Sequence, residues 1–132
     1  MGKPSIIIID DDKIVITYCK LLLTRIFGQI DIQTFLSPEA GLEYLSVHFS
    51  PASEPVYLLL DINMPTMTGW EFLQVFDNLS DSVKNSIRVF ILSSSVDGRD
   101  KERASQNKYV LDYLVKPLTK ETILHITDWK DD

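Results

Sequence analysis

The sequence predicts a doubly wound α/β fold: a five-stranded parallel sheet covered by helices on both faces. Three observations carry that expectation. Short runs of Ile, Leu and Val recur without polar alternation, as in strands buried on both sides. Longer segments with apolar residues at helical spacing separate them. And the residues that close several of these runs are an acid, a hydroxyl or a lysine.

Ser5-Ile6-Ile7-Ile8-Ile9 is the first strand, apolar and β-branched throughout. Ile14, Val15, Tyr18, Leu21, Leu22 and Ile26 then recur at helical spacing until Gly28, a C-terminal stop. Ile30 to Phe35 reads as the second strand. Ser37-Pro38-Glu39-Ala40 opens a helix that runs to about Leu45, with Ser as cap, Pro in the first turn and Glu at the positive end of the dipole. A polar loop, Ser50 to Pro55, leads to the third strand, Val56 to Leu60. Thr68 to Leu79 is helical, with Trp70, Phe72, Leu73 and Phe76 as packing residues. Val89 to Leu92, with Phe90 as a further core residue, is the fourth strand. A polar helix spans about Gly98 to Gln106, the last strand lies around Tyr109 to Val115, and Thr119 opens a final helix. No repeat or internal linker interrupts residues 1–132, so one domain is expected, with its core at about residues 5–127.

The chain has 132 residues, 19 acidic against 13 basic, a formal charge of −6 and 45% hydrophobic residues. That apolar share excludes an acidic disordered chain. No run approaches the roughly 18 apolar residues of a membrane span. The first isoleucines are too few for a signal peptide, and no Ser or Thr stands at the sixth position for myristoylation, so a cytoplasmic protein is expected. The single cysteine, Cys19, reads as core filler. His48 and His125 stand too far apart in sequence for a histidine zinc site. Acidic balance argues against nucleic-acid partners.

Ligands of open parallel sheets bind outside the carboxyl ends of the strands. After the first strand come Asp10, Asp11 and Asp12; the third delivers Asp61; the fourth delivers Ser93 with Ser94 and Ser95; the fifth delivers Lys116-Pro117. Converging carboxylates repel one another unless a cation sits among them, and Mg²⁺ takes such hard oxygen ligands. Lys116 and Ser93 suit an incoming phosphoryl group, for which a carboxylate can be the nucleophile.

Ile6-Ile7-Ile8-Ile9-Asp10-Asp11-Asp12, Leu60-Asp61-Ile62-Asn63-Met64-Pro65 with Gly69, Leu92-Ser93 and Asp112-Tyr113-Leu114-Val115-Lys116-Pro117 resemble the receiver domain of two-component response regulators, of the stand-alone chemotaxis-regulator kind. The resemblance runs from Ile6 to about Leu124. It implies a flavodoxin-like strand order 2-1-3-4-5. It implies that Asp61 is the phosphoacceptor, receiving its phosphoryl group from a sensor histidine kinase or histidine phosphotransfer protein. Asp10, Asp11, Asp61 and the backbone carbonyl of Asn63 would hold Mg²⁺. Ser93 and Lys116 would hold the phosphoryl oxygens, a cis peptide would join Lys116 to Pro117, and Ser93 with Tyr113 would form the switch. Such a domain is a switch that assists its own phosphorylation and dephosphorylation, not a turnover enzyme. Its output is protein contact with a downstream target, expected on the helix at 98–106, the last strand and the last helix, without nucleic acid or membrane. A phosphorelay shuttle, or a fragment of a larger regulator or hybrid kinase, is the alternative.

Other readings attach to single residues. Asp12 is assigned to capping the helix that follows it. Asp61 alone would pass as a turn residue. For Tyr113 the residues leave static packing and switching both open. Ser94 and Ser95 read as loop residues, and Trp129 as an exposed residue near the end of the last helix. Ser93 stands where Thr is more frequent in the family, keeping the hydroxyl and losing the methyl. Asn63 and Ser95 stand where family members admit or exclude water, which implies moderate self-dephosphorylation. A metal-dependent aspartyl phosphatase is disfavoured because Asn63, two residues after Asp61, cannot serve as the second acid. A flavodoxin-type cofactor binder is disfavoured because the aspartates after the first strand would repel an anion.

Overall fold

The computed structural model describes residues 3–51 and 54–128. Trp129, read above as exposed, lies outside the described residues. Five strands, β1 (Ser5–Ile9), β2 (Ile32–Phe35), β3 (Val56–Leu60), β4 (Ile87–Ser93) and β5 (Val110–Val115), form one parallel sheet in the order 2-1-3-4-5. The expected fold class and strand order are thus observed. The α-helices are α1 (Lys13–Phe27), α2 (Pro38–Glu43), α3 (Gly69–Phe76), α4 (Asp81–Ser86), α5 (Gly98–Gln106) and α6 (Lys120–Thr127).

Side chains alternate across the sheet, so each strand feeds two cores. Ile7 and Ile9 of β1, Leu58 and Leu60 of β3, and Val89 and Ile91 of β4 pack with Leu42, Phe72, Phe76 and Ala104 from α2, α3 and α5. Ile6, Ile8, Leu59, Phe90 and Leu92 pack on the other face with Ile16, Cys19 and Leu23 of α1 and with Ile123 and Ile126 of α6. Each fully buried side chain of this size stabilises the fold by about 1.5–3 kcal/mol relative to exposure. Polar residues cannot be spared for these runs, which is why they gather at the strand ends.

Side-chain caps start the helices. Asp12 accepts from the Ile14 N–H at 2.9 Å, the capping role expected for it. Ser37, Ser80, Asp97 and Thr119 do the same for α2, α4, α5 and α6. Thr68 and Glu71 form a reciprocal capping box at α3. Gly28 closes α1 with φ 77°, a left-handed conformation that other residues rarely adopt.

Three local features differ from the sequence expectation. The helix begun at Pro38 does not yield to a loop after Leu45 but continues as a π-helical turn, Tyr44–His48, closed by the Phe49 N–H on the Tyr44 carbonyl at 2.8 Å. Helix α4 has no visible period because Val83 is its one buried residue. Strand β4 starts two residues early, at Ile87, which is buried against β3.

Gly69 is required by space. A Cβ there would stand 2.6 Å from the Asp61 carbonyl oxygen and 3.0 Å from Ile62 Cα, both backbone atoms that cannot yield cheaply. At Gly98, in the first turn of α5, a Cβ meets nothing within 4 Å. Gly69→Ala is therefore expected to cost of order 1–3 kcal/mol, and Gly98→Ala to stabilise by about 0.4–1 kcal/mol. Denaturant unfolding of the two variants checks both signs.

Candidate functional site

The sheet ladder delivers the polar residues one step beyond the strands. The Asp10 N–H donates to the Phe35 carbonyl at 3.1 Å, that of Asp61 to Ile9 at 3.0 Å, and that of Lys116 to Ser93 at 2.8 Å. Each site residue is thereby held by the neighbouring strand before its own side chain makes any contact. The Gly69 N–H returns to the Ile62 carbonyl at 2.8 Å, which draws the start of α3 against the loop after Asp61.

Asp10 and Asp61 are 1% and 5% exposed, whereas Asp11 is exposed. Carboxylate oxygens of Asp10, Asp11 and Asp61 all lie within 4.8 Å of one another. Lys116 Nζ sits 2.7 Å from Asp10 Oδ2 and 3.6 Å from Asp61 Oδ1. Asp10 Oδ1 accepts from the Asp12 N–H at 2.9 Å. Its buried Oδ2 faces the Lys116 ammonium at 2.7 Å. The sequence expected these four residues to converge, and they do.

Burial, then the Asp10 charge, push the Asp61 carboxyl up to about 6, against the opposing pull of Lys116 and of the Asn63 and Ile62 N–H groups. At pH 7 the group is still about ten-to-one ionised. Burial lowers the affinity of Lys116 for its proton, but hydrogen bonding and charge from Asp10, with Asp61 behind it, outweigh that and hold the ammonium above its ordinary range. The neighbouring Cys19 thiol, fully buried and facing the Asp10 charge, is pushed up to about 11 and is inert packing, as expected.

Three hard carboxylates with one ammonium leave a net negative site. Oxygen donors at this spacing fit a divalent cation.

Ser93, fully buried at the end of β4, accepts from the Ser95 N–H at 3.1 Å. The Ser95 carbonyl accepts from the Tyr113 hydroxyl at 2.7 Å, so Ser95 joins Ser93 to Tyr113. Ser95 is more than the loop residue its sequence suggested. Tyr113 is half-buried and packed against the core on the α3 and α5 face. The Asn63 side chain is exposed while its N–H donates to Asp61 Oδ1 at 3.4 Å. The peptide between Lys116 and Pro117 is cis. Ser94 is an exposed loop residue.

Sequence reasoning did not find two contacts that brace the site. Thr66 Oγ1 donates to Glu39 Oε1 at 3.0 Å, tying the loop after Asp61 to the first turn of α2. Trp70, which follows Gly69, is stacked under the Arg103 guanidinium of α5 at 4.9 Å. No spacing rule joins residues 27 or 33 positions apart, so nothing in the sequence signalled either one.

The chain is thus an α/β domain whose parallel sheet carries an acid cluster, a hydroxyl and an ammonium at its carboxyl edge. The model of the response regulator receiver domain matches residues 6–128, and the chain belongs to that family. A two component response regulator from Cytophaga hutchinsonii is 30% identical, with 97% of this chain and 96% of that one aligned at a TM-score of 0.87. A response regulator receiver protein from Dyadobacter fermentans is 30% identical over 92% and 93%, at 0.82. Among curated relatives, an uncharacterized response regulatory protein of Staphylococcus epidermidis is 28% identical over 94% of this chain and 45% of its own length. The transcriptional regulatory protein HptR of Staphylococcus aureus is 28% identical over 86% and 41%. The chain spans less than half the length of those curated relatives. Among the described residues no helix is long and apolar enough to cross a membrane.

The raised carboxyl gives a signed prediction for the metal-free protein. Above about pH 6 both folded and unfolded chains carry Asp61 ionised, and the folded state bears the full penalty of its burial. Between about pH 6 and 4 the folded state takes up the proton first, and the penalty fades. Asp61→Asn is expected to stabilise the metal-free chain by roughly 1–3 kcal/mol at pH 7–8, with the gain shrinking as pH falls through that window. Thermal unfolding of both proteins across pH 4–8 in chelator checks it.

Proposed function

We propose that this chain is a phosphorylation-dependent signalling switch, with Asp61 as phosphoacceptor, Mg²⁺ as its metal and a phosphohistidine of a sensor kinase or phosphotransfer protein as donor. The observation that carries this reading is the convergence of Asp10, Asp11 and Asp61 within 4.8 Å of one another, with Lys116 Nζ 2.7–3.6 Å from two of them.

The carboxylates of Asp10, Asp11 and Asp61 and the Asn63 carbonyl would hold Mg²⁺. When bound, the ion supplies positive charge that lets carboxylates and a phosphoryl group share one site. Asp61, ionised at neutral pH, uses a carboxylate oxygen to attack the phosphorus. An O–P bond forms, the donor's N–P bond breaks, and the electron pair stays on the departing imidazole nitrogen. Lys116 pairs with one equatorial oxygen and the Ser93 hydroxyl donates to another, so positioning and charge do most of the work. The Gly69 approach keeps the acceptor loop closed, and the buried surroundings of Asp61 limit water.

Engaging a phosphoryl oxygen draws the Ser93 hydroxyl away from the Ser95 N–H. Ser95 also anchors the Tyr113 hydroxyl, so the change passes to β5. Output follows on the surface of α5, β5 and α6, where Val115 and Leu124 are 39% and 40% exposed. A cytoplasmic setting fits a kinase donor of this kind. The relay-shuttle reading uses the same Asp61 chemistry run towards a histidine.

Incubation with Mg²⁺ and a small-molecule phosphodonor is expected to give one phosphoryl adduct by intact mass. Asp61→Asn or chelator should abolish it, and Lys116→Ala or Ser93→Ala should slow it at least tenfold. An adduct that persists in Asp61→Asn would place the acceptor elsewhere. Asn63 and Ser95 stand where members of this family admit or exclude water, so replacing both is expected to change the phospho-lifetime several-fold; an unchanged decay would remove them from control of hydrolysis.

A further inference from the structure

We infer that Tyr18 is a positioning residue for Lys116: its hydroxyl ties the lysine's loop to the helix that follows the acid cluster. The inference rests on the function proposed above and deepens it. Three residues, Lys116, Pro117 and Leu118, connect β5 to the Thr119 cap of α6. Their Pro has no N–H to give. The Lys116 N–H is spent on the Ser93 carbonyl at 2.8 Å, on the β4 side. On the other side, the Leu118 carbonyl accepts from the Tyr18 hydroxyl at 2.9 Å, a bond between residues 100 positions apart. Leu118 itself is 1% exposed, so its carbonyl has little water to turn to.

The topology makes this bond consequential. In the order 2-1-3-4-5, the strand that delivers Asp10 and the strand that delivers Lys116 are separated by β3 and β4. The sheet therefore fixes their distance only through two intermediate strands. Helix α1 begins directly after the Asp10-Asp11-Asp12 turn, and Tyr18 lies one and a half turns into it. Its hydroxyl crosses straight to the lysine loop, outside the sheet. The loop that carries the ammonium is thus also tied, outside the sheet, to the helix that follows the carboxylates.

Tyr18 is also 44% exposed and sits between Ile14 and Leu21, 79% and 68% exposed, at spacings of four and three. A group that touches this face of α1 touches the ring whose far end holds the lysine loop.

Tyr18→Phe keeps the ring and removes only the donor. It is expected to fold, to bind Mg²⁺ with unchanged affinity by calorimetry, and to form the Asp61 adduct about 5–50-fold more slowly at saturating Mg²⁺. A Lys116→Ala, Tyr18→Phe double variant is expected to be no slower than Lys116→Ala alone, because the hydroxyl acts only through the lysine. A general structural role would slow both backgrounds alike. A wild-type rate in Tyr18→Phe, equal slowing in both backgrounds, weakened Mg²⁺ binding, or a variant that does not fold would each overturn the assignment while the wild-type adduct still forms. Absence of an adduct in the wild-type chain would instead sink the proposed function, and this inference with it.

Discussion

Two carboxylates are carried into nearly dry surroundings and set against a single ammonium, and the rest of the site follows from that imbalance. Asp10 and Asp61 are almost fully buried, Asp11 stands at their rim, and Lys116 reaches the first two. An opposite charge near 4 Å offsets about 4 kcal/mol at an effective dielectric of 20, whereas stripping an ion of water costs several. One ammonium cannot balance three acids. Burial first and then the Asp10 charge hold the Asp61 carboxyl up to about 6 despite the nearby ammonium. A site built this way has a standing affinity for positive charge.

The sheet makes such a concentration tolerable. Its central strands β1, β3 and β4 are filled on both faces mainly by Ile, Leu, Val and Phe. Strands β1, β3, β4 and β5 then hand Asp10, Asp61, Ser93 and Lys116 to the same edge. The backbone N–H groups of Asp10, Asp61 and Lys116 continue the ladder by one rung, which fixes their origins rigidly. Gly69 lets the following helix lie against the Asp61 carbonyl, where any side chain would push the loop after Asp61 outward.

Hydrogen bonds from distant segments tie this edge to the rest of the fold. Ser95 donates to Ser93 and accepts from Tyr113. Thr66 joins the loop after Asp61 to Glu39, and Tyr18 joins the lysine loop to α1 through Leu118. The Tyr113, Glu39 and Tyr18 contacts join elements that the chain visits far apart.

The fold class and the site's membership were legible in the sequence because both depend on local pattern. Short β-branched apolar runs bounded by polar residues read as strands buried on two faces, and in a parallel sheet the residues that end them share an edge. That reasoning reached Asp10, Asp11, Asp61, Ser93 and Lys116, and the capping role of Asp12. It did not reach α4, where one buried valine leaves no period, or the π-helical turn, where Tyr44 packs against Phe35 and Phe49. Nor did it reach the roles of Ser95, Glu39, Arg103 and Tyr18. Their partners are set by which elements become neighbours in three dimensions, and a hydrogen bond across a hundred residues leaves no trace in the spacing of either end.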